Sequence, residues 1–189
     1  MTDTAFPKTV AIKNGEVVLR LPESDDAARI LAFAQALPLH DLLYLRRDIS
    51  KAPVVDAWLS SISAGESLAL LAEYEGQLVG TSALMLDRKS WSPHVGEIRV
   101  LIGEAARGKG LGRVMVQEAF ARAVSNGIEK IIAQMTLDQT GARAVFEELG
   151  FQQEALLKDH VRDRNGEDHD IIIMSCDVAT ATARLGVFR

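Results

Sequence analysis

Three glycines spaced through a run of cations, Arg107-Gly108-Lys109-Gly110-Leu111-Gly112-Arg113, restrict this chain more than any other feature. The run follows an apolar segment, Val95 to Ile102, that reads as a strand. It opens a segment from Leu111 to about Ser125 in which Val114, Met115, Ala119 and Ala123 recur at helical spacing. Glycines at such a junction let backbone approach a ligand closely, and the helix start offers it free N–H groups and positive dipole. A flexible basic turn has the same composition, so spacing alone leaves both readings open.

Two nucleotide motifs come close and fail. Gly103 to Lys109 fills the first seven positions of a P-loop, but Gly110 stands where a Ser or Thr hydroxyl must hold magnesium. A dinucleotide fingerprint needs its third glycine three residues after the second. Position 113 is Arg, and Gly112 comes one residue early.

Around this turn the chain alternates strands and helices. Glu16 to Leu21 reads as a strand, and Pro22 to Asp26 supplies helix-cap chemistry for a helix through Ala36. Pro38 to Pro53 is irregular, with a short helix expected near Leu42 to Arg47; a second helix runs from Val54 to Ser63. Leu68 to Tyr74 and Gln77 to Leu86 form a hairpin about Glu75-Gly76. Asn126-Gly127 ends the long helix, and both residues tolerate the left-handed conformation found there. Lys130 to Leu137 is a strand, Thr140 to Leu149 a helix, and Phe151 to Val161 and Asp170 to Val178 a final hairpin. The expected class is α/β (α+β in some schemes) with a mixed sheet. One domain over 1–178 is expected, followed by a tail over 179–189.

Arg107, Gly110 and Gly112 fill the pattern (Gln/Arg)-x-x-Gly-x-(Gly/Ala), and this segment resembles the signature of the GNAT superfamily of N-acetyltransferases. Ala142 and Phe146-Glu147-Glu148-Leu149-Gly150-Phe151 look like that family's Ala-x-x-x-Tyr-x-x-x-Gly-Phe segment. Val18 to Asp26 is similar to its first strand and helix start, so the resemblance covers about residues 16–178.

The resemblance implies a mostly antiparallel sheet, flanked by helices, whose fourth and fifth strands (Val95 to Ile102 and Lys130 to Leu137) splay apart. The pantetheine arm of acetyl-CoA would lie in that gap, bonded by the backbone of Val100, Leu101 and Ile102. Unpaired N–H and C=O groups at a split need such partners. The pyrophosphate would rest on the N–H groups of the turn from Gly108 to Arg113, with Lys109 and Arg113 as neutralising charges or simply solvated ones. Leu111 would pack inward. Gln139 stands where the family usually has Asn, and Phe146 where it usually has Tyr. Tyr could protonate the departing thiolate; Phe cannot.

An amine with a pKa of about 10.4 must lose a proton before it attacks a thioester. Glu97 is the candidate base, directly or through water; paired with Arg99 it would be a strand-edge carboxylate instead. His94 is second choice, and His160 and His169 read as polar residues flanking the last turn. The resemblance implies that Leu39 to Asp48, Ser90 to His94 and the hairpin near His160 rim the acceptor pocket. Asp41, Asp48 or Asp159 would attract a cationic amine there, and Trp91 would either wall the pocket or lie on the surface.

These features imply an N-acetyltransferase acting on a primary amine, most simply of a small molecule. A protein or peptide acceptor and a catalytically weak CoA-binding module are the alternatives. A net charge of -5 gives no general attraction to nucleic acid or anionic membrane. No His, Asp or Glu spacing suggests a metal, and Cys176, in the apolar run after Ile171, reads as a buried hydrophobe. No apolar stretch reaches membrane-spanning length and no secretory segment is visible, so a cytoplasmic protein is expected. Leu185, Val187 and Phe188 in the tail offer apolar surface for a homodimer.

Overall fold

The computed structural model describes residues 6–185, with side chains to residue 183. Its strands are β1 (Lys8–Ile12), β2 (Gly15–Arg20), β3 (Ser67–Tyr74), β4 (Gln77–Leu86), β5 (Val95–Ile102), β6 (Lys130–Thr136), β7 (Gln152–Arg162) and β8 (Asp168–Asp177). They form one sheet in the order β1-β2-β3-β4-β5-β6-β8-β7. Every neighbouring pair is antiparallel except β5 and β6.

Helices cover both faces: α1 (Ala27–Ala36) and α2 (Ala52–Ser63) on one, α3 (Leu111–Ser125) and α4 (Thr140–Glu148) on the other. Alternation along the strands decides which side chain serves which layer. Leu70 packs with Leu111 and Met115 of α3, whereas its neighbour Leu71 packs with Ile30 of α1 and Val55 of α2. Ile98 and Val100 likewise face α3, and Leu101 faces Phe33 and Leu37. The helix α5 (Val178–Leu185) follows β8 and sets Ala181 into the α3-side core.

The structure corrects several local expectations. The first strand of the chain is Lys8–Ile12, unnoticed because an edge strand with only intermittent burial has no clean alternation. Its signal was the Asn14-Gly15 turn, a hairpin dipeptide, with Asn14 at φ 68°. The short helix expected near Leu42 to Arg47 is instead a 3-10 turn at Leu39–Leu42. Helix α2 starts at Ala52, with Pro53 inside its first turn, where its missing N–H costs nothing. Leu185, Val187 and Phe188 lie outside the residues whose side chains are described. Among the described residues no helix is long and apolar enough to cross a membrane.

Candidate active site

Strands β5 and β6 pair in parallel at Val95–Lys130, Gly96–Ile131 and Glu97–Ile132, and no further. Beyond Glu97 the two strands part, while β5 stays paired to β4 as far as Ile102. Their separation leaves the polar edge of Val100 to Ile102 without a neighbouring strand. Internal donors fill part of it: the Tyr44 hydroxyl donates to the Val100 carbonyl at 2.6 Å, and Arg107 Nε donates to the Ile102 carbonyl at 3.1 Å.

Tyr44 is a residue that the sequence did not single out. Its only signal was a phenol in an otherwise apolar stretch of irregular chain. Burial pushes its pKa up, so the phenol stays protonated and acts as a donor. Tyr44→Phe is expected to lower stability by about 0.5–1.5 kcal/mol, because it removes one partly buried hydrogen bond. Urea unfolding of both forms measures this, and an unchanged midpoint would refute it.

At the open end of the split lies the turn into α3. Gly108 and Gly110 have φ of 68° and 86°, and a Cβ at either would meet nothing within 4 Å. Gly110 is the N-cap and supplies no side-chain cap. The first helical bond there is Val114 N–H to the Gly110 carbonyl at 3.2 Å, so the N–H groups of Leu111, Gly112 and Arg113 precede the helical ladder. Gly112 needs no special conformation; a Cβ there would only touch Ile102 at 3.8 Å. Leu111 is fully buried, as expected. The hairpin joining β1 and β2 braces the turn, through Lys13 N–H to the Lys109 carbonyl at 2.9 Å.

The cations of the turn are not idle. Arg107 pairs with Asp41, Arg113 with Glu148, and the Lys109 ammonium sits 5.6 Å from the centre of the Tyr74 ring. Gln139 is the N-cap residue of α4, and its side-chain oxygen accepts from Thr136 N–H at 3.2 Å. Phe146 is buried and packs edge-to-face on Phe151, centroids 4.9 Å apart.

On the opposite face, a pocket of about 780 Å³ lies between α2, the chain from Leu45 to Ile49, and the sheet. Its floor includes Glu97, Arg99 and Leu101, the alternate residues of β5 that point away from α3. Arg99 Nε donates to Glu97 Oε1 at 2.8 Å, and Arg46 Nε stands 3.8 Å from Oε2. Oε2 therefore accepts no hydrogen bond among the described residues. Oε2 thus faces a guanidinium across 3.8 Å without a hydrogen bond to it.

Several expected pocket residues are elsewhere. Asp41 is bound to Arg107, and Asp48 is bound to Arg164 and Ser50. Asp159 sits exposed on the outer strand β7. Trp91 is fully exposed, and Trp58 of α2 lines the pocket instead. His94 stands at the paired end of β5 and β6, where its carbonyl accepts from Glu129 and Lys130. His169 does not face solvent freely: it bonds Asp163 at 3.2 Å and contacts the ring of His40, 5.4 Å between centroids. His40, also unremarked in the sequence, bonds Asp138 at 2.7 Å beside the end of β6.

Asp163, Glu167 and His169 bring three ligand-type atoms within 4.8 Å of one another at the last hairpin. Asp163 Oδ1 already accepts from the N–H groups of Asn165 and Glu167, so it works as a turn cap.

The sequence matches the acetyltransferase (GNAT) family over residues 34–151. No curated protein matches it. Among solved structures, a GNAT-family acetyltransferase of Streptococcus pneumoniae is similar in fold, at TM-score 0.73 and 21% identity over 85% of this chain and 99% of the other. A ribosomal-protein-alanine N-acetyltransferase of Brucella melitensis aligns at TM-score 0.72 and 22% identity over 84% and 98% of the two chains. A phosphinothricin acetyltransferase of Sinorhizobium meliloti, in complex with acetyl-CoA, aligns at TM-score 0.71 and 20% identity over 85% and 88%.

Proposed function

This chain belongs to the acetyltransferase (GNAT) family, and we propose that it moves the acetyl group of acetyl-CoA to a primary amine of a small molecule. The observation that carries this reading is the strand split next to a glycine turn, with a pocket on the other face of the same strand. About 780 Å³ is the size of a small-ligand site.

Acetyl-CoA supplies the acetyl group as a thioester, which a neutral amine can attack. The residues that would hold it fit its chemistry. Uncapped N–H groups of Leu111, Gly112 and Arg113, beside the open backbone of Gly108, Lys109 and Gly110, suit a pyrophosphate. The polar edge of Val100, Leu101 and Ile102 suits the amide-bearing arm, with Tyr44 and Arg107 yielding or sharing two carbonyls. Gln139 and Arg107 border the same opening.

Glu97 would remove the amine's proton. Arg99 fixes one carboxylate oxygen, and the other, 3.8 Å from Arg46 and without a hydrogen bond among the described residues, is the one that would take the proton. No side-chain acid is needed at position 146, because a thiol with an ordinary pKa of about 8.5 leaves readily as thiolate. The core position of Phe146 agrees with that economy.

Thiol release from acetyl-CoA across a panel of amines tests the activity. Release with none of them, or ATP binding that requires magnesium without CoA binding, would overturn it. With one identified amine, Glu97→Gln is expected to lose roughly 10²-fold in rate at neutral pH, the lower end of general-base contributions. Part of that loss should return at alkaline pH as free amine accumulates. A pH–rate profile identical to the parent's removes Glu97 as the base.

A further inference from the structure

The pocket carries a charge pattern that says what kind of amine enters it. From its lining residues we infer that the acceptor is a primary amine bearing its own oxyanion close to the nitrogen, in chemical terms a free amino acid or a similar small zwitterion. This rests on the acetyl-transfer reading above and adds the substrate class to it.

Among the lining residues five are Lys or Arg and three are Asp or Glu, in a chain whose net charge is -5. Positive charge has therefore been gathered locally against the trend of the whole molecule. Glu66, Asp87 and Glu97 offset only three of the five cations. Glu97 is shared by two guanidiniums, Arg99 at 2.8 Å and Arg46 at 3.8 Å, and Glu66 is engaged by Lys89 at 3.6 Å on the rim. Arg47 has no acidic partner among the described residues.

Arg99 is the most informative of these residues. Its side chain is only 16% exposed, so its charge is largely removed from bulk water. It spends Nε on Glu97, and Nη1 and Nη2 make no hydrogen bond among the described residues. A guanidinium has five N–H donors in a fixed fork that matches a carboxylate or phosphate edge. The Nη atoms are not fully buried, so water meets them in the pocket, and a bound carboxylate or phosphate edge would replace that water with a matched pair of acceptors.

The same geometry disfavours a plain cationic amine. An ammonium ion without a counter-charge would enter a pocket with two more cations than anions and meet repulsion. A zwitterion brings the missing anion to Arg99, and its nitrogen then lies near Glu97, because Arg99 and Glu97 are bonded neighbours on one strand. This arrangement favours molecules whose amine and oxyanion are a few bonds apart. Val54, Trp58 and Met85 on the walls offer apolar surface to the remainder of the substrate.

The test uses matched triplets: an amino acid, its amide, and its decarboxylated amine. Thiol release from acetyl-CoA is measured with each, and binding of each to the CoA-loaded protein by calorimetry. The amino acid is expected to exceed both partners at least thirtyfold in kcat/KM. Arg99→Lys keeps the charge beside Glu97 and loses the fork, so KM for the amino acid should rise at least tenfold while KM for acetyl-CoA stays put. Arg99→Gln should remove the preference altogether, and if it fails to fold the lysine variant still decides the matter. Acetylation of the amide or decarboxylated amine as readily as the acid overturns the proposal and leaves acetyl transfer standing. Amino-acid binding that is lost in Arg99→Lys, without thiol release from any compound, supports the anion site and sinks the proposed activity. Absence of both binding and thiol release with every amino acid overturns the proposal.

Discussion

Gly110→Asp is expected to lose at least a hundredfold in affinity for CoA while remaining folded. The two halves of that result have different causes. The backbone at position 110 has φ of 86°, where an L side chain is strained by about 1–2 kcal/mol. There is no steric addition to that, since a Cβ at this position meets nothing within 4 Å. Binding suffers far more. The new carboxylate would stand beside the N–H groups of Leu111, Gly112 and Arg113, where the pyrophosphate is proposed to rest, and would take those donors and repel the phosphates. Gly110→Ala separates the effects, because it keeps the strain without the charge; it should lose roughly tenfold or less. Calorimetry with CoA on the three proteins measures both. Equal CoA affinity in Gly110→Asp and the parent would show that the phosphates bind elsewhere.

Asp26→Ala should be strongly destabilising for a change at a polar residue. Arg20 grips both oxygens of Asp26, at 2.6 and 2.5 Å, and also donates to Glu73 at 2.8 Å. Asp26 further accepts from the Glu23 N–H at 2.7 Å, so a single carboxylate joins β2 to the start of α1. Its side chain is 4% exposed and that of Arg20 is 20% exposed. Breaking a buried pair typically costs about 3–5 kcal/mol, and partial exposure of Arg20 lowers the expectation to about 2–4 kcal/mol. Urea unfolding at neutral pH checks it; a loss under about 1 kcal/mol would place the pair among ordinary surface bridges.

The same cluster gives an acid limb to stability. The Arg20 hydrogen bonds hold the Asp26 carboxyl below its usual range. For Glu73, burial pushes upward but is outweighed by bonds from Arg20 and Arg29, and the net direction is again down. A depressed folded pKa stabilises the protein above the ordinary carboxylate range near pH 4, and that stability is lost as pH falls through the folded values. Asp26→Asn should therefore have the flatter stability profile below about pH 5.

Local rules carried much of the architecture. The positive-φ turn at Gly108 and Gly110, the helix stop at Asn126-Gly127 and the order of strands and helices from β2 to β8 follow from residue-by-residue preferences and periodicity, whereas α5 occupies the expected tail. So does the assignment of Glu97, Arg99 and Leu101 to one face of β5, which strict alternation dictates. The edge strand Lys8–Ile12 escaped because its half-buried residues carry little pattern.

What the sequence determined by itself was thus the backbone of the glycine turn, the family and the face on which the candidate base lies. Which charges are available in the pocket was decided only by the tertiary structure. Asp41 and Asp48 stand in the segment expected to receive a cationic amine, yet they are taken by Arg107 and Arg164, which are 66 and 116 positions away. Tyr44 reaches the Val100 carbonyl across 56 positions to fill the polar edge that the splayed strand exposes. Periodicity fixes the side of a strand or helix on which a residue lies. The partner of a charge or hydroxyl depends instead on which distant segment the packing brings within about 3 Å, because hydrogen bonds and close ion pairs act only at that range. That selection left the Arg99 Nη atoms without a protein acceptor among the described residues, in a pocket lined by more cations than anions.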